Sequence, residues 1–68
     1  AQQLLVWPNP VHDGQIFFNR SIDACLFDQT GRMLRYTEDQ PSLDLQGLAS
    51  GVYILLARTG ERIWIVVY

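Results

Sequence analysis

The stretch Leu43-Asp44-Leu45-Gln46-Gly47-Leu48-Ala49-Ser50-Gly51-Val52-Tyr53-Ile54-Leu55-Leu56 decides how the rest of the chain is read. Leu43 and Leu45 fall on one face of an extended segment, because strand side chains alternate with a period of two. Gly47 and Gly51 bracket Leu48, Ala49 and Ser50, and glycine accepts positive φ at low cost. Leu48 is a large apolar residue within a turn, so it is expected to tuck inward as a plug. From Val52 to Ala57 the chain stays apolar, which suits a central strand covered on both faces. This stretch nucleates a core and carries no catalytic constellation.

The bulk composition bounds what can be built around it. Sixty-eight residues make one small domain over 1–68, with residues 1–3 expected to be the remnant of a linker. The chain is 49% hydrophobic and 12% aromatic, enough apolar surface to fold. All five basic residues are arginine: Arg20, Arg32, Arg35, Arg58 and Arg62 are scattered among seven acids, for a formal charge of -2. No basic patch forms from that pattern, which speaks against nucleic acid as a partner. Cys25 stands alone, so an internal disulfide is excluded. Its neighbours Ala24, Leu26 and Phe27 predict a buried thiol acting as a small hydrophobe, and no adjoining His or Lys activates it. No run approaches the roughly 20 apolar residues of a membrane span, and no signal peptide is visible. An export signal is then expected either outside this stretch of chain or in the domain itself.

Working outward from the central stretch, Leu4 to Trp7 reads as a short strand stopped by Pro8-Asn9-Pro10. Two prolines two apart lack the N–H groups a central strand needs, so this is an edge strand that leaves its sheet at Pro8. Asn9 is expected to bond nearby backbone in an Asx-type turn. His12-Asp13-Gly14 makes the next turn and Gln15 to Asn19 the second strand. Ile22 to Phe27 is the third, with Ile22, Ala24 and Leu26 on one face and Asp23, Cys25 and Phe27 on the other. Asp28-Gln29-Thr30-Gly31 reads as a hairpin turn, with Asp28 accepting from the N–H of Thr30 or Gly31 and Gly31 taking the left-handed position. Arg32 to Thr37 returns as the fourth strand, and Glu38 to Pro41 reads as a polar connection. Ser42 to Leu45, Gly51 to Arg58 and Arg62 to Tyr68 complete seven short strands. With no helical period anywhere, the expected fold is all-β: a small immunoglobulin-like antiparallel β-sandwich.

Chemistry is sparse. His12 beside Asp13 has no serine or second histidine fixed near it, and a turn surface is the plainer reading. Asp13, Asp23, Asp28 and Asp44 are too dispersed for a calcium loop. Cys/His metal spacing and a phosphate-cradling glycine loop are absent from the sequence. The expectation is no catalytic residue, no metal and no cofactor. The last strand is unusual in carrying large apolar residues on both faces, which predicts either a central position or a docking surface.

Several motifs occur together in a fixed order. Trp7-Pro8-Asn9-Pro10 is followed by Gly14, then by Phe27-Asp28-Gln29-Thr30-Gly31-Arg32-Met33-Leu34. Leu43-Asp44-Leu45 comes next, then Leu48-Ala49-Ser50-Gly51-Val52-Tyr53-Ile54-Leu55, and finally the apolar segment Ile63 to Val67. From about Val6 to Val67 this order resembles the C-terminal sorting domains of the bacterial type IX secretion system. The resemblance implies an address label on a secreted protein, read by an outer-membrane translocon and a shuttle protein. It also implies an N-terminal cargo, a sortase-like surface protease that removes the label before Leu4, and a route through the periplasm to the cell surface or beyond. Motif positions carried over are Pro8, Asn9, Pro10, Gly31, Arg32, Leu48, Gly51 and Tyr53, together with Arg62, Ile65, Val66 and Val67 of the final strand. Family tails often carry lysine near that strand; here Arg62 is the nearest basic residue.

Two other readings compete. Trp7, Trp64 and Tyr68 could form the stacking platform of a carbohydrate-binding or adhesive module. Alternatively, the apolar last strand could pair two copies into a homodimer.

Overall fold

The computed structural model describes residues 3–68. The linker expected over 1–3 therefore lies outside the described residues except for Gln3. Every element is a β-strand: β1 Val6–Trp7, β2 Gln15–Phe27, β3 Met33–Asp44, β4 Gly51–Ala57 and β5 Arg62–Val67.

All strand pairs are antiparallel and belong to one five-stranded sheet. The spine is β2. Along one side it pairs with β3. Along the other it pairs with β1 near its start, through Val6–Phe18 and Trp7–Phe17, and with β4 near its end, from Ala24–Ala57 to Phe27–Ile54. The last strand, β5, lies outside β4. As expected, β1 is a short edge strand that ends at Pro8. Both Trp7–Pro8 and Asn9–Pro10 are cis.

The seven expected strands are five, and they form one sheet rather than the two of a sandwich. Gln15–Asn19 and Ile22–Phe27 fuse because nothing at Asn19-Arg20-Ser21 breaks an extended backbone: no glycine, no proline, and an inward phase that continues through 16, 18, 20, 22, 24 and 26. The apparent break is a shift of register. From Phe17 to Ile22 β2 advances five positions while β3 moves only from Ser42 to Gln40. Such irregularities bend a strand and raise its twist. Likewise Glu38 to Pro41 is part of β3 and not a connection; Asp39, at φ 50°, takes up a second register shift.

The bend turns the buried faces of both halves of β2 toward one core. Ile16, Phe18, Leu43, Leu45, Leu4 and Val11 join Leu26, Tyr53, Leu55, Ile65 and Val67 in a single cluster. Leu43 and Leu45 are both buried, as their spacing predicts, and Leu48 packs half-buried against the cluster. In β4 one face (Tyr53, Leu55, Ala57) is buried and the other (Val52, Ile54, Leu56) is half-exposed. So β4 is central in the sheet but covered on one side only. Cys25 is also half-exposed rather than buried, because its odd phase in β2 points it away from the core.

Candidate recognition surface

The site is built from the first and last segments of the chain. Beyond Pro8, Asn9 lies alongside β5. Its side-chain amide donates to the carbonyl of Trp64 at 2.8 Å, and its side-chain carbonyl accepts from the N–H of Val66 at 3.0 Å. An asparagine side chain carries the same donor and acceptor as a peptide unit, so it can stand in for a missing strand. Two residues on, the N–H of Val11 donates to the carbonyl of Val66 at 2.7 Å, and the Val11 carbonyl accepts from Tyr68 at 3.1 Å. Val11 and Val67 form an isolated parallel bridge. The outer edge of β5 is thereby occupied from the Trp64 carbonyl to the Tyr68 N–H. The Asx-type turn expected at Asn9 is replaced by bonds to residues more than fifty positions away.

The segment before β1 is fastened in a similar way. Asn19, at the bend of β2, accepts from the Leu5 N–H at 2.9 Å and donates to the Gln3 carbonyl at 3.0 Å. Glu61 accepts from the Leu4 N–H at 3.1 Å, from the Thr59 hydroxyl at 2.6 Å and from Arg20 at 3.0 Å. The Thr59 hydroxyl first, then the Leu4 N–H, hold the Glu61 carboxyl below its ordinary pKa. Arg20 occupies an inward-phase position of β2 at the bend, half-buried, which is where an unpaired charge would be costly.

Other motif residues hold local structure. In the β2–β3 turn, Asp28 accepts from the Thr30 hydroxyl at 2.6 Å and from the N–H groups of Thr30 and Arg32 at 2.9 and 3.1 Å. These bonds lower its pKa, the Thr30 hydroxyl contributing most. Gly31 takes φ 89°, as the turn requires, and its N–H goes to the Asp28 main-chain carbonyl. Tyr53 is buried, and its hydroxyl donates to the Ala49 carbonyl at 2.5 Å, pinning the loop that contains Leu48. Gly51 opens β4 opposite Val67, and Tyr53 pairs across from Ile65. Asn9, between Pro8 and Pro10, thus meets the outer edge of the strand of Ile65, Val66 and Val67, and Gly51 and Tyr53 pair with its inner edge. Gly31 and Arg32 sit at a distant turn. Arg62 is exposed at the start of β5 and makes no ion pair among the described residues.

The outward face of the sheet is apolar and uncovered. Phe27, Ile54 and Trp64 form one cross-strand row; Tyr36, Cys25, Leu56 and Arg62 form the next; Val52 and Val66 lie on the other side. Trp64 is 62% exposed and Tyr36 63%. The three aromatics considered for sugar stacking have different neighbours. Trp7 stacks on Phe17 at 6.5 Å, Tyr68 meets the His12 ring edge at 4.9 Å, and Trp64 pairs across from Ile54. His12 and Asp13 are exposed turn residues. No group of three His, Cys, Asp or Glu side chains suited to a metal occurs among the described residues.

Residues 5–66 match the family described as "Secretion system C-terminal sorting domain". The chain belongs to this family. A search of curated proteins finds no match. As a type IX sorting domain, the chain carries a C-terminal secretion signal that directs export toward the cell surface or the medium, for an N-terminal cargo and in contact with the secretion machinery. Sequence reasoning found the sorting domain's Asn9 and its last strand separately but not their union. It also missed Val11, Asn19 and Glu61 altogether. The one signal of a distant partner was Asn9, a polar side chain held between two prolines, and a local Asx-type turn accounted for it equally well.

Proposed function

We propose that this domain is a non-catalytic address label whose readable surface is the outward apolar face of β4 and β5, centred on Trp64. The observation that carries this reading is Trp64 itself, a large indole held 62% exposed on a strand whose other face is core. Exposed apolar patches of this kind mark docking sites, and tryptophan is enriched among residues that dominate binding energy. The partners are an outer-membrane translocon and its shuttle protein, met after passage through the periplasm, with a sortase-like protease acting afterwards at the surface. Ile54, Val66 and Arg62 flank the indole, and Arg62 supplies the one cation of β5.

The test is a fusion of the domain to the C-terminus of a periplasmic reporter in a host with the type IX system. Export of the reporter, lost in a translocon-deficient strain, supports the label. Within that assay Trp64→Ser should lower export by roughly tenfold or more while leaving a folded domain. Trp7→Ser, away from β5, should export normally. Truncation of Ile65 to Tyr68 is a poorer test, because Ile65 and Val67 are core residues. A folded fusion that stays in the periplasm, together with a glycan-dependent shift in tryptophan fluorescence, would favour the carbohydrate-binding module instead.

A further inference from the structure

We propose that the cleft formed by β2, β3 and β4 at the Tyr36 side of the outward face receives an arginine side chain from a partner protein. The cleft has a volume of about 590 Å3. Trp64 is not among its walls, so it is a second surface and not part of the one centred on the indole. Its floor is Cys25 and Leu56, which pair across β2 and β4 and are both half-buried. Tyr36, opposite Cys25 on β3, forms a wall. That ring is 63% exposed, and no other ring packs against it among the described residues. Asp23, Glu38 and Arg58 bring charge to the same cleft.

The charges fix what the cleft accepts. Asp23 is already satisfied: it accepts from the Arg58 guanidinium at 3.1 Å and from the Asp39 N–H at 2.8 Å. Asp23 and Arg58 cancel, which leaves Glu38, whose carboxylate has no ion-pair partner among the described residues. Tyr36 and Glu38 are two positions apart in β3, so both side chains stand on the outward face. An occupant must then be apolar along its stem, to cover Cys25 and Leu56. Its tip must be cationic and flat, to meet the Glu38 carboxylate and the Tyr36 ring. An arginine side chain is built that way: the methylene stem covers apolar surface, and the guanidinium stacks on aromatic rings and pairs with carboxylates. An acidic occupant would set like charge against Glu38, and a wholly apolar one would bury that carboxylate unpaired.

The probe is the capped tripeptide valine-arginine-valine, and the readout is Cys25, the chain's single cysteine, in the floor of the cleft. Alkylation of its thiol by iodoacetamide should slow as the peptide is added and level off at saturation. The same peptide with citrulline, which is neutral and of nearly the same shape, should need a concentration roughly threefold higher or more for half the effect. Glu38→Gln should weaken the arginine peptide by a similar factor. So should Tyr36→Leu, which keeps apolar area but loses the ring face. Trp64→Ser, outside the cleft, should leave the half-saturating concentration unchanged. All three substituted positions are exposed, so the variants are expected to fold. Alkylation that the arginine peptide never slows would overturn the proposal. So would equal half-saturation by the citrulline peptide, a Glu38→Gln or Tyr36→Leu protein that binds as the parent does, or a Trp64→Ser effect as large as theirs.

Discussion

The sheet has two long margins, β3 and β5, and they are protected by opposite means. Along β3 the defence lies within the strand: Glu38 and Asp39 put charge on the margin, Asp39 bends it at φ 50°, and Pro41 has no N–H to offer. Along β5 the strand is undefended, and cover comes from Asn9 and Val11 at the other end of the chain. A margin guarded by its own residues stays guarded however the rest moves. A margin guarded by a remote segment is guarded only while that segment is seated, and its strand can keep the apolar residues that the core and the proposed docking face require.

Ile65→Ala tests whether β5 is held chiefly by the core or by its cover. Ile65 is completely buried, and truncating it should cost about 2–5 kcal/mol in denaturant unfolding. A loss below about 1 kcal/mol would mean that the edge bonds, and not burial, hold the strand. Asn9→Ala should cost about 1–3 kcal/mol, since two backbone groups lose their partners but can reach water. If thermal melts of that variant match the parent, the cover contributes nothing to stability and the contrast with β3 fails.

Acid should loosen the N-terminal fastening. The carboxyls of Glu61, Asp28 and Asp23 all have folded-state pKa values below their ordinary ones; for Asp23 the N–H of Asp39 is the main cause and Arg58 the second. A depressed folded pKa gives stability that is fully present above the unfolded value and is lost as pH falls through the folded one. Stability should therefore be level above pH 4.5, the ordinary value for Glu61, and decline below it, with Asp23 and Asp28 adding their loss below 3.8. Glu61→Gln should remove the first part of that decline in a pH series of melts. The smallest effect is expected on β3. Glu38→Val with Pro41→Val alters exposed positions and should shift stability by no more than about 0.5–1 kcal/mol. Light scattering should nevertheless report association, because the margin has lost its own defence.

What was legible in the sequence was local. The spacing of Leu43 and Leu45 gave their common buried face, Gly47 sits at φ 85°, and Asp28 closes the turn with Gly31. The termination of β1 at Pro8 follows from proline chemistry alone. What was not legible depends on pairing across the chain. Asn19-Arg20-Ser21 is a polar interruption by composition, yet β2 continues through it because Arg20 finds Glu61 and Asn19 finds the segment before β1. Cys25 has apolar neighbours in sequence, but its phase in the strand sends it to the outward face. Asn9 is separated from Val66 by 57 positions, and no local pattern encodes such a bond.

The parallel run of Val11 beside Val67 also has a mechanical consequence. A pull applied between the segment ahead of β1 and the far end of β5 acts along these strands, in shear. Once the bonds that fasten the segment before β1, and β1 itself, have yielded, the Asn9 and Val11 bonds share the load and yield together, whereas strands peeled sideways give way one bond at a time. A domain pulled between these two points would therefore resist longer than one peeled strand from strand.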